Sequence, residues 1–548
     1  MKRAFINGSV ITVDEKDTVC EALLIDGDKI CFAGTTEEVM AAVGSDAEIT
    51  DLRGRTLMPG MIDSHYHPIL SGLIGEELDS AMVSTAPEFC KSIPELLDRV
   101  KAVVETKKPG EWVSTMGYET FIFPEKRDPT LEELDAIAPD NPVHCMCAGG
   151  HTCMYNSKAL EYLGVYTAED AKKYPDDEVE VIDGKLTGLV RGHTHFWLWG
   201  QVEYPEAAQV KAAMKSHAYA LEHGLTSIHD AGELDKPSYH VMQKLCKSGK
   251  FKLRDYMMLH SIFGKPYSKE DNDHWMKLGL ISGLGDEHFK IGSCKFMIDG
   301  GSGIPSCYTR EPYSHKPELV REKGWEREEV WEYIQLIEDA ECQATAHAIG
   351  DGAIEFMVEG YEHAFEKAPD KEAFKARRHR IEHCTVNGKD DDLIKRMAPM
   401  NICPSVNVGQ VAYQGANYLK CYGPERMKYI CPIRTMLDNG IKCSFQSDYP
   451  SGPAGLVTID GAVNRYDRTT GTQTDKFQAV TVMEAIRCAT LYGAYGSYEE
   501  DIKGSLEPGK LADVIILSGD ILAIDPMEIG NLVVDETIIG GVTEYKRV

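Results

Sequence analysis

Apolar and polar positions alternate along this chain in three textures. Over residues 3–57, short β-like runs (Ala4-Phe5-Ile6, Ala22-Leu23-Leu24-Ile25, Ile30-Cys31-Phe32-Ala33) are separated by Asn7-Gly8 and Asp26-Gly27, pairs that tolerate positive φ and turn hairpins. The far end repeats that texture in Leu511-Ala512-Asp513-Val514-Ile515-Ile516-Leu517 and Thr537-Ile538-Ile539. The two ends are therefore expected to build one small β-sandwich from residues 1–57 and 500–548.

Between them, helical and strand patterns alternate. Residues 207–223 carry apolar positions at helical spacing, and Leu225-Thr226-Ser227-Ile228 then reads as a buried strand. Similar runs are Cys294–Ile298, Ala344–Ala346, Asn401–Cys403 and Ile441–Phe445. Strands alternating with helices imply parallel βα units, so the expected class is α/β, with a (β/α)₈ TIM-type barrel over residues 58–499. Residues from about 85 to 205 are too long for a barrel loop and are expected to form an α/β insertion over the barrel mouth.

Candidate chemistry concentrates where the strands end. Met58-Pro59-Gly60-Met61-Ile62-Asp63-Ser64-His65-Tyr66-His67 runs from an apolar strand into a His-x-His pair. Residues two apart on a strand share a face, so His65 and His67 project together, as two imidazoles on one divalent metal require. Lys295, His347, His383 and Asp448 each close a further apolar run. Imidazole and carboxylate donors suit zinc and other divalent transition metals. An ammonium has no lone pair, so Lys295 joins such a set only as a carboxylated (carbamylated) lysine; otherwise it fixes a carboxylate or a substrate charge.

The motifs occur in a definite order: Pro59-Gly60-x-Ile62-Asp63-x-His65-x-His67, Thr226-Ser227-Ile228-His229-Asp230-Ala231-Gly232, Lys295-x-x-x-Asp299-Gly300, His347-Ala348-Ile349-Gly350-Asp351, Ile381-Glu382-His383, Ser447-Asp448-x-Pro450 and Gly504-x-Leu506-x-Pro508-Gly509-Lys510-x-Ala512-Asp513. This series resembles the amidohydrolase superfamily, in the amidohydrolase 3 branch that includes N-substituted formamide deformylases, over nearly the whole length. The resemblance implies that His65, His67 and Asp448 hold one metal, His347 and His383 a second, and that Lys295 bridges them; members use one metal or two. It also implies a metal-dependent hydrolase of a non-peptide C–N bond in an N-formyl, N-acyl or related small amide. In such a site Asp448 takes and returns a proton as general base and acid. His229, at another strand end, either donates to a developing oxyanion or is a structural histidine. A deaminase or cyclic amidase of a heterocycle, or a barrel that binds a ligand without catalysis, are the alternatives.

Three further features compete. Arg191-Gly192-His193-Thr194-His195-Phe196-Trp197-Leu198-Trp199 holds a second His-x-His; if extended, His193, His195, Trp197 and Trp199 share a face that either lines a substrate pocket or is a buried aromatic surface. His151, before Asn156-Ser157-Lys158-Ala159-Leu160, resembles the family's insertion motif and is a candidate substrate contact. His144-Cys145-x-Cys147 and His151-x-Cys153 lack the Cys-x-x-Cys pairs of a structural zinc knuckle and are discounted as one.

Composition narrows the partners. A formal charge of −29 argues against binding nucleic acid or an anionic membrane through a basic surface but says little about the substrate; a small-molecule amide is what the resemblance implies. The opening residues lack the apolar core of a secretion signal, no apolar run is long enough to span a bilayer, and sixteen cysteines without an export signal suggest reduced thiols in a cytoplasmic protein. A homodimer is compatible with all of this.

Overall fold

The computed structural model describes residues 2–45, 47–120, 122–175, 178–260, 270–302, 306–319, 321, 323–389 and 392–548. Eight strands form its centre: β1 (Met61–Tyr66), β2 (Leu225–Asp230), β3 (Arg254–Leu259), β4 (Phe289–Met297), β5 (Ala344–Ala348), β6 (Arg380–His383), β7 (Cys403–Val406) and β8 (Ser444–Phe445). Each pairs in parallel with its neighbour, from β2 beside β1 round to β8 beside β7. The ring closes between β8 and β1. There the Ser64 hydroxyl donates to the Phe445 carbonyl at 2.7 Å, and the Asp448 amide donates to the His65 carbonyl at 3.0 Å.

Helices cover the outside, as parallel strands buried on both faces require. The helix Pro68–Leu73 lies against Glu206–Glu222 so closely that a Cβ on Gly72 would sit 1.8 Å from the Ala212 carbonyl oxygen. Arg327–Asp339 packs on Asp351–Lys367 in the same outer layer.

Segments from both ends of the chain build two further sheets. One has four strands, Lys29–Gly34, Ala22–Asp26, Lys2–Ile6 and Glu48–Asp51, in that order. The other has six, and in it Val514–Leu517 pairs antiparallel with Thr56–Pro59, Ile515 facing Met58. Phe5, Val10, Leu23, Leu57, Val514 and Ile538 are fully buried in the core these sheets share. Asn7 and Gly27, at φ of 56° and 62°, make the turns that the Asn-Gly and Asp-Gly pairs foreshadow.

Between β1 and β2 stands a seven-stranded sheet running from Ile74–Gly75 to Val179–Ile182, with helices Ile93–Val104 and Leu131–Ile137. Its strands sort alternate residues to two cores. Cys145, Cys147 and Met154 join Val83, Leu96 and Val143 on one side, while Met146, Cys153 and Tyr155 face the barrel side. Among the described residues, no helix is long and apolar enough to cross a membrane.

Candidate metal centre

The carboxyl ends of the barrel strands meet in one cavity. His65 is the fifth residue of β1, and its ring is almost completely buried. Its Nδ1 lies 2.8 Å from Glu382 Oε2, which places the ring proton on that nitrogen and leaves the Nε2 lone pair facing the cavity. Glu382 is itself held: Arg380 Nε and Thr345 Oγ1 each donate to its Oε1 at 2.8 Å. His67, just past β1, opens the helix that begins at Pro68; its Nδ1 is 3.4 Å from the Gly232 carbonyl. Asp448 Oδ1 lies 3.6 Å from His65 Nε2 and 3.5 Å from His67 Nε2. One donor atom from each of His65, His67 and Asp448 falls within 4.8 Å of the other two.

Across the cavity, His383 ends β6 and His347 lies in β5. The two rings are 4.3 Å apart between centroids, and His383 is 4.6 Å from the ring of His65. The Gln446 amide nitrogen approaches His383 Nδ1 at 2.8 Å, while Nε2 of His383 is buried without a hydrogen-bond partner in the protein. Lys295 reaches in from β4; its Nζ is 3.0 Å from His65 Nε2 and donates to the Ala231 carbonyl at 2.8 Å. His383 and Asp448 take φ of 69° and 57°, left-handed values unusual for residues with a Cβ, and strain of this kind gathers at functional sites.

Burial sets the charge state. His65, His347 and His383 are held well below the usual histidine range, first by burial and then by neighbouring positive groups, so their rings are neutral and able to bind a metal. Burial brings Lys295 down to about 8, against the pull of Glu382 and Asp448. The donor set fits a divalent ion of the zinc class: neutral imidazoles, a carboxylate, an orphaned buried nitrogen and a lysine that burial makes easier to deprotonate.

The insertion supplies the other wall. Met116, Gly149, Gly150, His151, Phe196 and Trp199 line the same cavity as the histidines, Lys295 and Asp448. The His151 ring stands 4.8 Å from that of His347, and burial lowers its pKa to about 4. Glu119, Ser302, Gln410 and Gln414 extend the cavity on a polar side.

The second His-x-His segment is not extended. Residues Gly192–Trp199 form a helix, which turns Phe196 and Trp199 towards the cavity and leaves Trp197 42% exposed. His193 does not line the cavity, and His195 is buried with Nδ1 2.9 Å from the Tyr155 hydroxyl and Nε2 3.2 Å from the Gly150 carbonyl. His229 also lies away from the cavity. It is fully buried against Tyr256, and its Nδ1 accepts a 2.8 Å hydrogen bond from Arg380, which makes it a partner of the guanidinium rather than an oxyanion donor.

Two lining residues went unnoticed in the sequence. His260 follows β3, is buried with Nε2 unpartnered, and obeys the same strand-end rule as the others. Glu119 carries no motif, and its place became visible only with the insertion folded.

Similar proteins agree with this architecture. The chain is 26% identical over 553 residues to an N-substituted formamide deformylase of Arthrobacter pascens, covering 99% of this chain and 98% of that protein. Two solved structures, of uncharacterized metal-dependent hydrolases from Pyrococcus horikoshii OT3 and Pyrococcus furiosus, superpose with TM-scores of 0.71 and 0.68. They are 24% and 25% identical, cover 96% of this chain, and are themselves covered over 99% and 100% of their length. The amidohydrolase family profile matches residues 48–545. A match of that extent makes this chain a member of the amidohydrolase family, a hydrolase acting on carbon–nitrogen bonds.

Proposed function

We propose that this chain is a metal-dependent amidohydrolase that cleaves the C–N bond of a small N-formyl or N-acyl compound. The observation that carries the reading is the convergence of His65, His67 and Asp448 within 4.8 Å, facing His347, His383 and Lys295 across one buried cavity. His65, His67 and Asp448 would hold one ion, His347 and His383 a second, and Lys295, once carbamylated, would lie between them. Zinc is the ion we assign. When bound, it supplies a water acidified to a pKa of about 7 and a Lewis acid for the substrate carbonyl.

The protein's own groups do the rest. Asp448 takes the proton of the attacking water and returns it to the departing amine nitrogen, so one carboxylate serves both halves of the reaction. Glu382 keeps the proton of His65 on Nδ1. His151, on the insertion, faces the substrate. Leu70, Met116, Phe196 and Trp199 form an apolar wall that excludes bulk water from the reacting carbonyl. The N-formyl class is supported by the likeness to the deformylase, which extends over 99% of this chain.

The test is a screen of N-formyl amines, N-acyl amino acids, cyclic amides and purines on zinc-reconstituted protein, reading acid, amine and ammonia. Release of acid and amine from formyl or acyl amides supports the reading. Release of ammonia from purines alone favours a deaminase. Full activity in verified metal-free protein removes the proposal.

A further inference from the structure

A second group of metal-type donors lies outside the cavity, in the insertion. His144 and Tyr155 face each other across an antiparallel strand pair, with Met146 facing Cys153 one step along. These side chains share the sheet face covered by the helix Gly192–Trp199, from which His195 descends. One donor atom from each of His144, Cys153 and His195 lies within 4.8 Å of the others, and all three residues are fully buried. We propose that they form a structural site for a borderline-to-soft divalent ion of the zinc class, separate from the catalytic centre.

The hydrogen bonds around the imidazoles carry this assignment. His144 Nδ1 is 2.9 Å from the Ser114 hydroxyl, and His144 Nε2 is buried with no partner. His195 Nε2 lies 3.2 Å from the Gly150 carbonyl, which can only accept, so its proton is on Nε2 and the lone pair is on Nδ1. Each ring is thus anchored to an oxygen through one nitrogen; the other is unpartnered on His144, and on His195 it accepts from the Tyr155 hydroxyl. On binding, the Tyr155 hydroxyl, now 2.9 Å from His195 Nδ1, turns its proton to the His195 carbonyl, 3.3 Å away, which frees that lone pair and leaves the phenol oxygen as a fourth donor. Bonds of about 2.0–2.3 Å would bring tetrahedral ligand atoms to roughly 3.3–3.8 Å from one another, so the donors close by about 1 Å around an ion. Two imidazoles and a thiolate suit zinc and exclude magnesium or calcium. On binding, the Cys153 S–H bond breaks, a sulfur–metal bond forms, and one proton leaves to solvent.

The site has a mechanical role. His195 holds Gly150, the neighbour of His151, and the same helix carries Phe196 and Trp199 into the substrate cavity. An ion here ties the strands, the helix and the loop bearing His151 into one unit.

Cobalt(II) spectroscopy on the full chain tests the proposal. No cysteine lines the catalytic cavity among the described residues, so a thiolate-to-cobalt charge-transfer band reports the second site alone. Protein stripped with chelator and reloaded with cobalt(II) chloride should show this band. It should vanish in Cys153→Ser and in His144→Gln, with bound cobalt falling by one per chain. It should persist in a His65→Asn/His67→Asn double variant, whatever becomes of hydrolysis. No band in the unmodified protein, or a band that survives either His144→Gln or Cys153→Ser, overturns the site. The unmodified protein and His144→Gln still decide the matter if Cys153→Ser fails to fold.

Discussion

Glu382 and His65 are joined by a 2.8 Å carboxylate–imidazole hydrogen bond spanning 317 residues of sequence. The bond fixes both the ring's orientation and the nitrogen that bears its proton. Glu382→Gln should therefore weaken zinc binding about 10–100-fold while leaving the fold intact. Metal affinity measured by competition with a chromophoric chelator checks this, and unchanged affinity would show that the hydrogen bond is dispensable.

Asp448 is assigned the proton traffic. Asp448→Asn should keep the neighbouring histidines and still bind metal, with kcat lower by about 10²–10⁴-fold. Steady-state kinetics beside elemental analysis separate lost chemistry from lost metal.

Lys295, brought down to about 8 by burial, must be uncharged to react with carbon dioxide. Activation of stripped enzyme by bicarbonate and zinc should thus rise with pH through about 8. A carbamate resonance from ¹³C-bicarbonate should appear in step and be absent from Lys295→Ala. Activation that is flat with pH would remove the carbamate.

Buried neutral histidines make the fold sensitive to acid. His151 has a native pKa of about 4 against 6.5 for the free side chain. The unfolded chain binds the proton first, so stability is whole above 6.5 and falls as pH drops from 6.5 towards 4. His65, His347 and His383, lowered in the same direction, add to the loss. Burial raises the carboxyls of Asp63 and Glu119 to about 7 and works the other way, so the check is a comparison: denaturant midpoints of metal-free protein across that window should fall less in His151→Asn than in the unmodified chain.

Packing offers a control far from chemistry. Gly72→Ala places a methyl 1.8 Å from the Ala212 carbonyl oxygen, and relieving that overlap should cost about 1–3 kcal/mol. The melting temperature should fall. By contrast Trp197→Ala, at an exposed site, should leave kcat and KM unchanged, whereas Trp199→Ala should raise KM.

Much of the barrel was legible because its signals are local. An apolar run ending in a polar residue marks a strand entering the rim, and His65, His347, His383 and Asp448 all announce themselves in that way. His260 obeys the same rule but belongs to no motif, and so passed unnoticed. The segment from Gly192 to Trp199 misled for a different reason. A short aromatic run has no period of its own, and its helix begins where the Glu178 carboxylate accepts the backbone N–H groups of His193 and Thr194. That cap comes from the turn before the strand Val179–Ile182, so nothing adjacent in sequence declares it. The union of His144 with His195 likewise depends on a helix descending onto a sheet, which residue spacing cannot express.

The pairing of Val514–Leu517 with Thr56–Pro59 bears on how this enzyme is born. The strand braced by those late residues leads straight into His65 and His67, and the Gly60 amide is bonded to the Asp513 carbonyl at 2.9 Å. During synthesis the imidazole pair emerges from the ribosome more than four hundred residues before its support does. A chain halted before residue 514 should therefore leave the strand that delivers His65 and His67 unbraced, and should be inactive.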